Sequence, residues 1–281
     1  MTASPGPILA EPIPAALHSR GPQEPCAACE LSIIVPALNE QDNVAPLVDE
    51  VAQVVIAAGV RAELILVDDG STDETASRAT ALIRDRPWLR LLRHDRRYGQ
   101  SAAMLTGIRA ARGPCVAFLD GDRQNDPADL PAMLQRLMRG DVDLVQGDRS
   151  ANRRDTWVRR ASSWVGRTAR RSILGDSVRD TGCSTRVLRT DLARRLPLQF
   201  RGMHRFIPFY LRMLGGRIVE MPVRHRPRAT GRTKYGIWNR AIPGLIDCFA
   251  VRWMMGRHHD CAAPTEPAAS PSPRDVPGDS P

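Results

Sequence analysis

The sequence predicts an α/β fold, a mostly parallel sheet flanked by helices, and three observations lead there. Strand-length apolar runs alternate with helix-length patterns through the first half of the chain, the joints between them are short, and three of the runs end in acid-bearing turns. Strand and helix alternating across short joints implies parallel strands linked by right-handed crossovers, which places those turns at one edge of one sheet. A length of 281 residues allows one large or two small domains with ample core.

Residues 1–30, rich in Pro and Ala, read as a disordered tail. Leu31 to Val35 forms the first buried strand, stopped by Pro36, and Asn39-Glu40 opens a helix to about Ala58. Ala62 to Val67 is the second strand; it ends in Asp68-Asp69-Gly70-Ser71-Thr72-Asp73, where Ser71 or Thr72 is positioned to cap the next helix. Leu89 to Arg93 is an edge-like strand, Gly99 to Ala111 a helix, and Cys115 to Leu119 a buried strand. Pro127 to Arg139 is helical and Asp143 to Gly147 is a further strand. The expected organisation is a tail over 1–30, a body over 31–235, an amphipathic helix over 236–257 and a Pro/Ser-rich tail over 258–281.

The formal charge is +9, but each terminal stretch, 1–30 and 261–281, carries −2, which leaves +13 on the span between them. The body therefore seeks an anion, and charge alone admits nucleic acid, a membrane surface or a phosphorylated substrate. Lys234 is the single lysine among 40 basic residues. Of six cysteines only Cys26 and Cys29 share a Cys-x-x-Cys spacing, with no second pair to complete a zinc site, so reduced thiols in a cytosolic protein are expected. The N-terminus lacks the basic start and apolar core of a signal peptide, and no uninterrupted apolar run reaches the ~18–20 residues of a spanning helix.

Asp120-Gly121-Asp122 sets two carboxylates one small residue apart at the end of a strand. Ligands of open α/β sheets bind beyond the carboxyl ends of strands, and two acids there repel unless a cation sits between them. A divalent ion carried by a phosphorylated substrate fits; so does a plain turn before a helix capped by Asp126.

Taken together, Val35-Pro36-Ala37-Leu38-Asn39-Glu40, Val67-Asp68-Asp69-Gly70-Ser71-Thr72-Asp73 and Asp120-Gly121-Asp122 with Gln124 resemble the inverting family-2 glycosyltransferases of GT-A fold. Asp180-Thr181-Gly182-Cys183, His204-Arg205-Phe206 and the run Arg228 to Tyr235 resemble their dolichol-phosphate mannosyltransferase-like branch, which glycosylates polyprenyl phosphates. The resemblance runs from about Leu31 to Arg257. It implies a hexosyltransferase that moves a sugar from GDP-mannose or a UDP-sugar to undecaprenyl or dolichyl phosphate with inversion.

Roles follow from the resemblance. Pro36, Leu38, Glu40, Val67 and Asp69 would line the base and ribose, and Asp120 and Gly121 would meet the ribose and diphosphate. Asp122 and Gln124 would hold Mg²⁺ or Mn²⁺, both suited to oxygen ligands. Arg149 and Arg153 would bind the acceptor phosphate, Arg149 with a share in donor binding, and Arg228 and Lys234 would contact donor phosphates from a closing loop. Asp180 is the candidate catalytic carboxylate beside Asp122, either as a base or as a group that orients the acceptor and balances arginines. Leu38 departs from the aromatic residue often found at its position, and no phenylalanine follows Asp180 at Ser184 or Thr185.

Between Tyr235 and Met255, Trp238, Ile242, Leu245, Phe249 and Trp253 fall at helical spacing, with Arg240, Asp247 and Arg252 interrupting the apolar run. The pattern predicts a helix that lies in a membrane interface or packs on the body, and hence a cytoplasmic protein peripherally attached to the cytoplasmic face of the membrane. Two alternatives remain open. One is a soluble family-2 enzyme acting on a glycan or protein acceptor in cell-envelope polysaccharide synthesis; the other is nucleic-acid recognition through the arginine-dense run from Arg149 to Arg171.

Overall fold

The computed structural model describes residues 29–150, 168, 170–175, 178–226 and 238–257. The predicted tails, apart from Cys29 and Glu30, and Arg153, Arg228 and Lys234 lie outside the described residues. Seven strands form one sheet: β1 (Leu31–Ala37), β2 (Ala62–Asp68), β3 (Leu89–Arg93), β4 (Cys115–Phe118), β5 (Leu144–Asp148), β6 (Arg186–Arg189) and β7 (Ile218–Pro222), in the order β3-β2-β1-β4-β6-β5-β7. Every pairing is parallel except those of β6, which runs antiparallel between β4 and β5. The mostly parallel α/β architecture is the one the sequence predicts.

Alternation along the strands sends successive side chains to opposite faces. Leu31, Ile33 and Val35 pack against helices α1 (Gln41–Val51), α2 (Thr75–Ile83) and α4 (Leu130–Met138). Ile34, Ile65, Val67, Val116 and Phe118 face α3 (Gln100–Ala110). The same face is covered by α6 (Ile207–Met213) and α7 (Trp238–Met255), and α5 (Thr190–Ala193) closes the turn after β6. Two apolar layers thus hold the sheet rigid while its C-terminal edge stays free for chemistry.

The structure corrects the expected strand and cap boundaries. The first strand does not stop at Pro36 but runs to Ala37. Ile34 O accepts from Leu119 N on the β4 side and Ala37 O accepts from Asp69 N on the β2 side, so Pro36 points toward β4, which has already ended at Phe118. A missing N–H costs nothing where no partner strand remains. Neither Ser71 nor Thr72 caps α2: the N-cap position is Glu74, whose side chain makes no capping bond, and Asp73 before it accepts from Thr75 N at 3.0 Å. Asp126 caps the 3₁₀ turn Pro127–Asp129, as the sequence suggests, through Ala128 N at 3.0 Å.

Helix α7 buries Cys248 and Val251 against the body, and Tyr210 Oη lies 3.3 Å from Met254 Sδ. Gly202, at φ 85°, lets the helix approach: a Cβ there would sit 2.8 Å from Asp247 Oδ2. The other side of α7 presents Leu245, Ile246, Phe249 and Trp253 to solvent, with the Arg257 guanidinium 4.8 Å from the Trp253 ring centre. No described helix is long and apolar enough to cross a membrane.

Candidate active site

The turns after β1 and β2 are stitched into one unit. Asn39, at φ 53°, donates its N–H to Ser71 Oγ at 2.9 Å and accepts from Thr72 N at 2.9 Å through its side-chain oxygen. Glu40 N donates to Thr75 Oγ1 at 2.8 Å, and Asp73 also takes Gln41 N at 3.3 Å. Asn and Asp tolerate these local conformations and satisfy neighbouring N–H groups, which is why the two polar motifs meet here. Pro36, Leu38 and Glu40 are thereby set beside Asp69. Val67 is fully buried among Ile34, Ile65 and α3 in a strand paired on both sides, so it lines no ligand surface and the role expected for it beside the base is not supported.

Asp69 is buried yet well supplied with donors. Oδ1 accepts from Tyr98 N and pairs with His94 Nδ1, both at 2.8 Å, and Oδ2 accepts from Gly99 N at 2.8 Å. Burial pushes its pKa up, but the His94 bond and the two main-chain N–H groups outweigh that and hold it below the ordinary aspartate value.

The third turn packs on the first. A Cβ on Gly121 would lie 3.3 Å from Pro36 O and 3.5 Å from Glu40 Cγ, so the small residue between the two carboxylates permits this approach. Asp120 accepts from Gln100 Nε2 at 3.1 Å and from Ser184 Oγ, with Asn125 Nδ2 at 3.4 Å. Burial, and then the Asp122 carboxylate, push the pKa of Asp120 up. Asp122 Oδ1 accepts from Gln124 N at 3.2 Å. Among the described residues no three His, Cys, Asp or Glu side chains gather as a metal cage. Two mutually repelling carboxylates and one amide instead suit a hard cation that completes its shell with water and substrate phosphates, so the residues present fit Mg²⁺ or Mn²⁺.

Arg149, just beyond β5, forms a bidentate pair with Asp180: Nε to Oδ2 at 2.8 Å and Nη2 to Oδ1 at 3.0 Å. The side chains are 13% and 8% exposed. Burial lowers the Arg149 pKa, but the bond from Asp180 more than reverses that and leaves it raised. Gly182 gives the pair room, since a Cβ would sit 3.2 Å from Arg149 Nη2. Beneath it, buried Gln146 directs Nε2 toward the carbonyls of Gly147, Asp180 and Cys183. Arg186 is buried in the centre of the sheet and donates to Cys183 O and to His204 O, the latter at 3.1 Å; burial pulls its pKa down to about 10. Ser184 then ties the Asp180 turn to Asp120.

The chain leaves the described residues at Arg226, directly beside the acidic turn and two positions before Arg228. Arg226 N donates to Gln124 O at 2.8 Å, Gln124 Nε2 reaches Arg226 O at 3.5 Å, and Asn125 bridges His225. Glu50 binds both Arg123 and Arg226, and Arg226 Nη2 lies 2.8 Å from Asp126.

The structure thus brings Pro36, Leu38, Glu40, Asp69, Asp120, Gly121, Asp122, Gln124, Arg149 and Asp180 to one sheet edge. Sequence reasoning missed Glu50, His94, Gln100, Ser184 and Arg186, single residues whose partners only the fold brings to them. Ser184 alone carried a signal, its two-residue distance from Gly182. Most of the arginine-dense run needed for nucleic-acid recognition lies outside the described residues.

Comparison with known proteins agrees with this geometry. The profile described as Glycosyl transferase family 2 matches residues 32–196. The dodecaprenyl-phosphate galacturonate synthase of Rhizobium johnstonii is 39% identical over 239 residues, which cover 84% of this chain and 70% of that protein. The undecaprenyl-phosphate 4-deoxy-4-formamido-L-arabinose transferase of Edwardsiella ictaluri is 32% identical, covering 79% and 68%. Among solved structures, glucosyl-3-phosphoglycerate synthase from Mycobacterium tuberculosis with Mn²⁺, UDP and phosphoglyceric acid aligns with a TM-score of 0.61 at 21% identity, over 80% of this chain and 79% of that one. That likeness shows a shared fold.

Proposed function

The chain belongs to glycosyl transferase family 2, in its polyprenyl-phosphate glycosyltransferase branch, and from that premise we propose that it moves a sugar from a nucleotide donor onto a polyprenyl phosphate with inversion. The observation that carries the reading is the bidentate Arg149–Asp180 pair. A hydroxyl acceptor needs a free base to take its proton, and Asp180, the candidate acid, is already committed to a guanidinium. A phosphate monoester, with a second pKa near about 6, arrives largely dianionic and needs none. Asp180 then orients Arg149, whose remaining N–H groups face the acceptor phosphate.

Pro36, Leu38 and Glu40 line the base and ribose with Asp69, and Asp120 and Gly121 meet the ribose and diphosphate. Asp122 and Gln124 hold Mg²⁺ or Mn²⁺, which when bound neutralises the departing diphosphate. The solved relative carries Mn²⁺ with UDP, which supports a divalent ion here. Arg228 and Lys234 would contact the donor phosphates, and Arg153 with Arg149 the acceptor phosphate. Both curated relatives are named for a polyprenyl phosphate acceptor, which supports the same class of acceptor for this chain. The outward face of α7, with Phe249 and Trp253 59% and 63% exposed, would rest on the cytoplasmic leaflet that holds such a lipid.

Radiolabelled nucleotide sugars incubated with undecaprenyl or dolichyl phosphate and Mn²⁺ test the reading. Label entering the organic phase is the expected result; label found only on water-soluble glycan or protein would replace it with the soluble-acceptor reading.

A further inference from the structure

We propose that His94 is a positioning residue that aims the Asp69 carboxylate so that a single acceptor lone pair, on Oδ2, reads a ring N–H of the donor's base. The inference rests on the donor-site reading above and adds a residue and a selection rule to it.

His94 stands one residue beyond β3, fixed by its own N–H to Asp68 O at 2.9 Å. Its buried ring is held at both nitrogens: Nδ1 lies 2.8 Å from Asp69 Oδ1 and Nε2 lies 2.9 Å from Thr106 Oγ1 on α3. Tyr98 packs edge-on against the ring at 5.3 Å between centroids. An imidazole so confined cannot turn, and neither can the carboxylate it holds.

The count of hydrogen bonds gives the selectivity. An ionised carboxylate offers about four acceptor positions. His94 and Tyr98 N take two on Oδ1, and Gly99 N takes one on Oδ2, which leaves one on Oδ2. Uracil and guanine present a ring N–H to such an acceptor, whereas cytosine and adenine present a ring nitrogen lone pair, which a carboxylate repels. If His94 is removed, the carboxylate loses the bond that fixes its angle, Oδ2 is no longer aimed at the ring N–H, and the favoured pairing weakens while the unfavoured one gains nothing. A site built to pair an N–H discriminates because the mismatch leaves a buried group unpaired.

The test measures binding of UDP, CDP, GDP and ADP, each with Mn²⁺, to the full chain by titration calorimetry. The wild type is expected to bind the ring-N–H member of a pair, UDP over CDP or GDP over ADP, at least about tenfold more tightly. His94→Ala should lose most of that ratio by weakening the favoured nucleotide alone, and His94→Asn, whose amide N–H can reach Asp69 Oδ1, should restore it. A ratio unchanged in His94→Ala, or an equal fall for all four nucleotides, would overturn the role given to His94 and leave the donor site standing. If His94→Ala does not fold, Thr106→Val, which frees Nε2 of its partner, carries the test, and an unchanged ratio there overturns the role as well. A wild type that binds none of the four overturns the donor-site reading and this inference with it.

Discussion

Arg149 grips Asp180 with two parallel hydrogen bonds at 2.8 and 3.0 Å, and the main-chain N–H of Arg149 adds a third contact to the same carboxylate at 3.3 Å. A pair so well shielded is costly to break from one side, because the survivor is left as a buried lone charge. Arg149→Met and Asp180→Leu are each expected to lower stability by about 3–5 kcal/mol, while the double variant recovers most of it. Transfer activity stays lost in all three. Urea unfolding beside a lipid-transfer assay checks this, and a double variant no more stable than the singles would show that the pair is not a coupled unit.

The acidic turn makes a separate claim. Burial and the neighbouring Asp122 charge push the pKa of Asp120 up, and Asp122 with Gln124 is the proposed oxygen pair for a hard cation. Chelation should abolish transfer, and Mg²⁺ or Mn²⁺ should restore it. Asp122→Ala should reduce activity by roughly a hundredfold or more, in line with the loss of one preorganised electrostatic contact, at an unchanged unfolding midpoint. Metal-dependent transfer at wild-type rate in Asp122→Ala would remove Asp122 from the metal site.

Much of this was legible in the sequence because β-strand alternation and turn chemistry are local. The strands β1, β2 and β4 and the Asn39 and Asp69 turns are short-range patterns, and the two turns lock together through the side chains that also mark them. The antiparallel strand β6 was not legible: Arg186 to Arg189 is too short and too basic to read as a buried strand until β4 and β5 flank it. Glu50 looks like one more solvated acid on α1, and only the fold brings Arg123 and Arg226 to it. His94 is equally silent, since nothing in its neighbours announces a contact 25 positions away.

Acid should act on the Asp69 cluster with a definite sign. The His94 bond and the two main-chain bonds hold the Asp69 pKa below its unfolded value despite burial, so the carboxylate stabilises the fold above the unfolded pKa of about 3.9. That stability disappears as pH falls through the lowered folded value. Asp69→Asn is therefore expected to cost about 1–3 kcal/mol at pH 7, and the gap from wild type should shrink below about pH 4. Urea unfolding at pH 7 and pH 3 measures it. A gap that stays constant across that interval would mean that the charge on Asp69 adds nothing to stability.

Helix α7 divides its faces between two neighbours, and the division predicts that attachment and stability are separable. Cys248 and Val251 hold the helix to the body, whereas Phe249 and Trp253 are largely exposed and Trp253 meets the Arg257 guanidinium on the same outward side. Apolar side chains beside Arg252 and Arg257 suit an anionic leaflet, with each cation contributing roughly 1 kcal/mol near the surface. Phe249→Asp with Trp253→Asp should abolish co-sedimentation with vesicles containing phosphatidylglycerol, and raising salt should weaken wild-type attachment. The unfolding midpoint should remain where it is, because surface changes of this kind fall within about 0.5 kcal/mol. Transfer to a detergent-dispersed prenyl phosphate should survive while transfer within vesicles falls, since the variant loses access to the lipid and keeps its site. Unchanged vesicle binding in the double variant would assign the exposed face of α7 to some other partner.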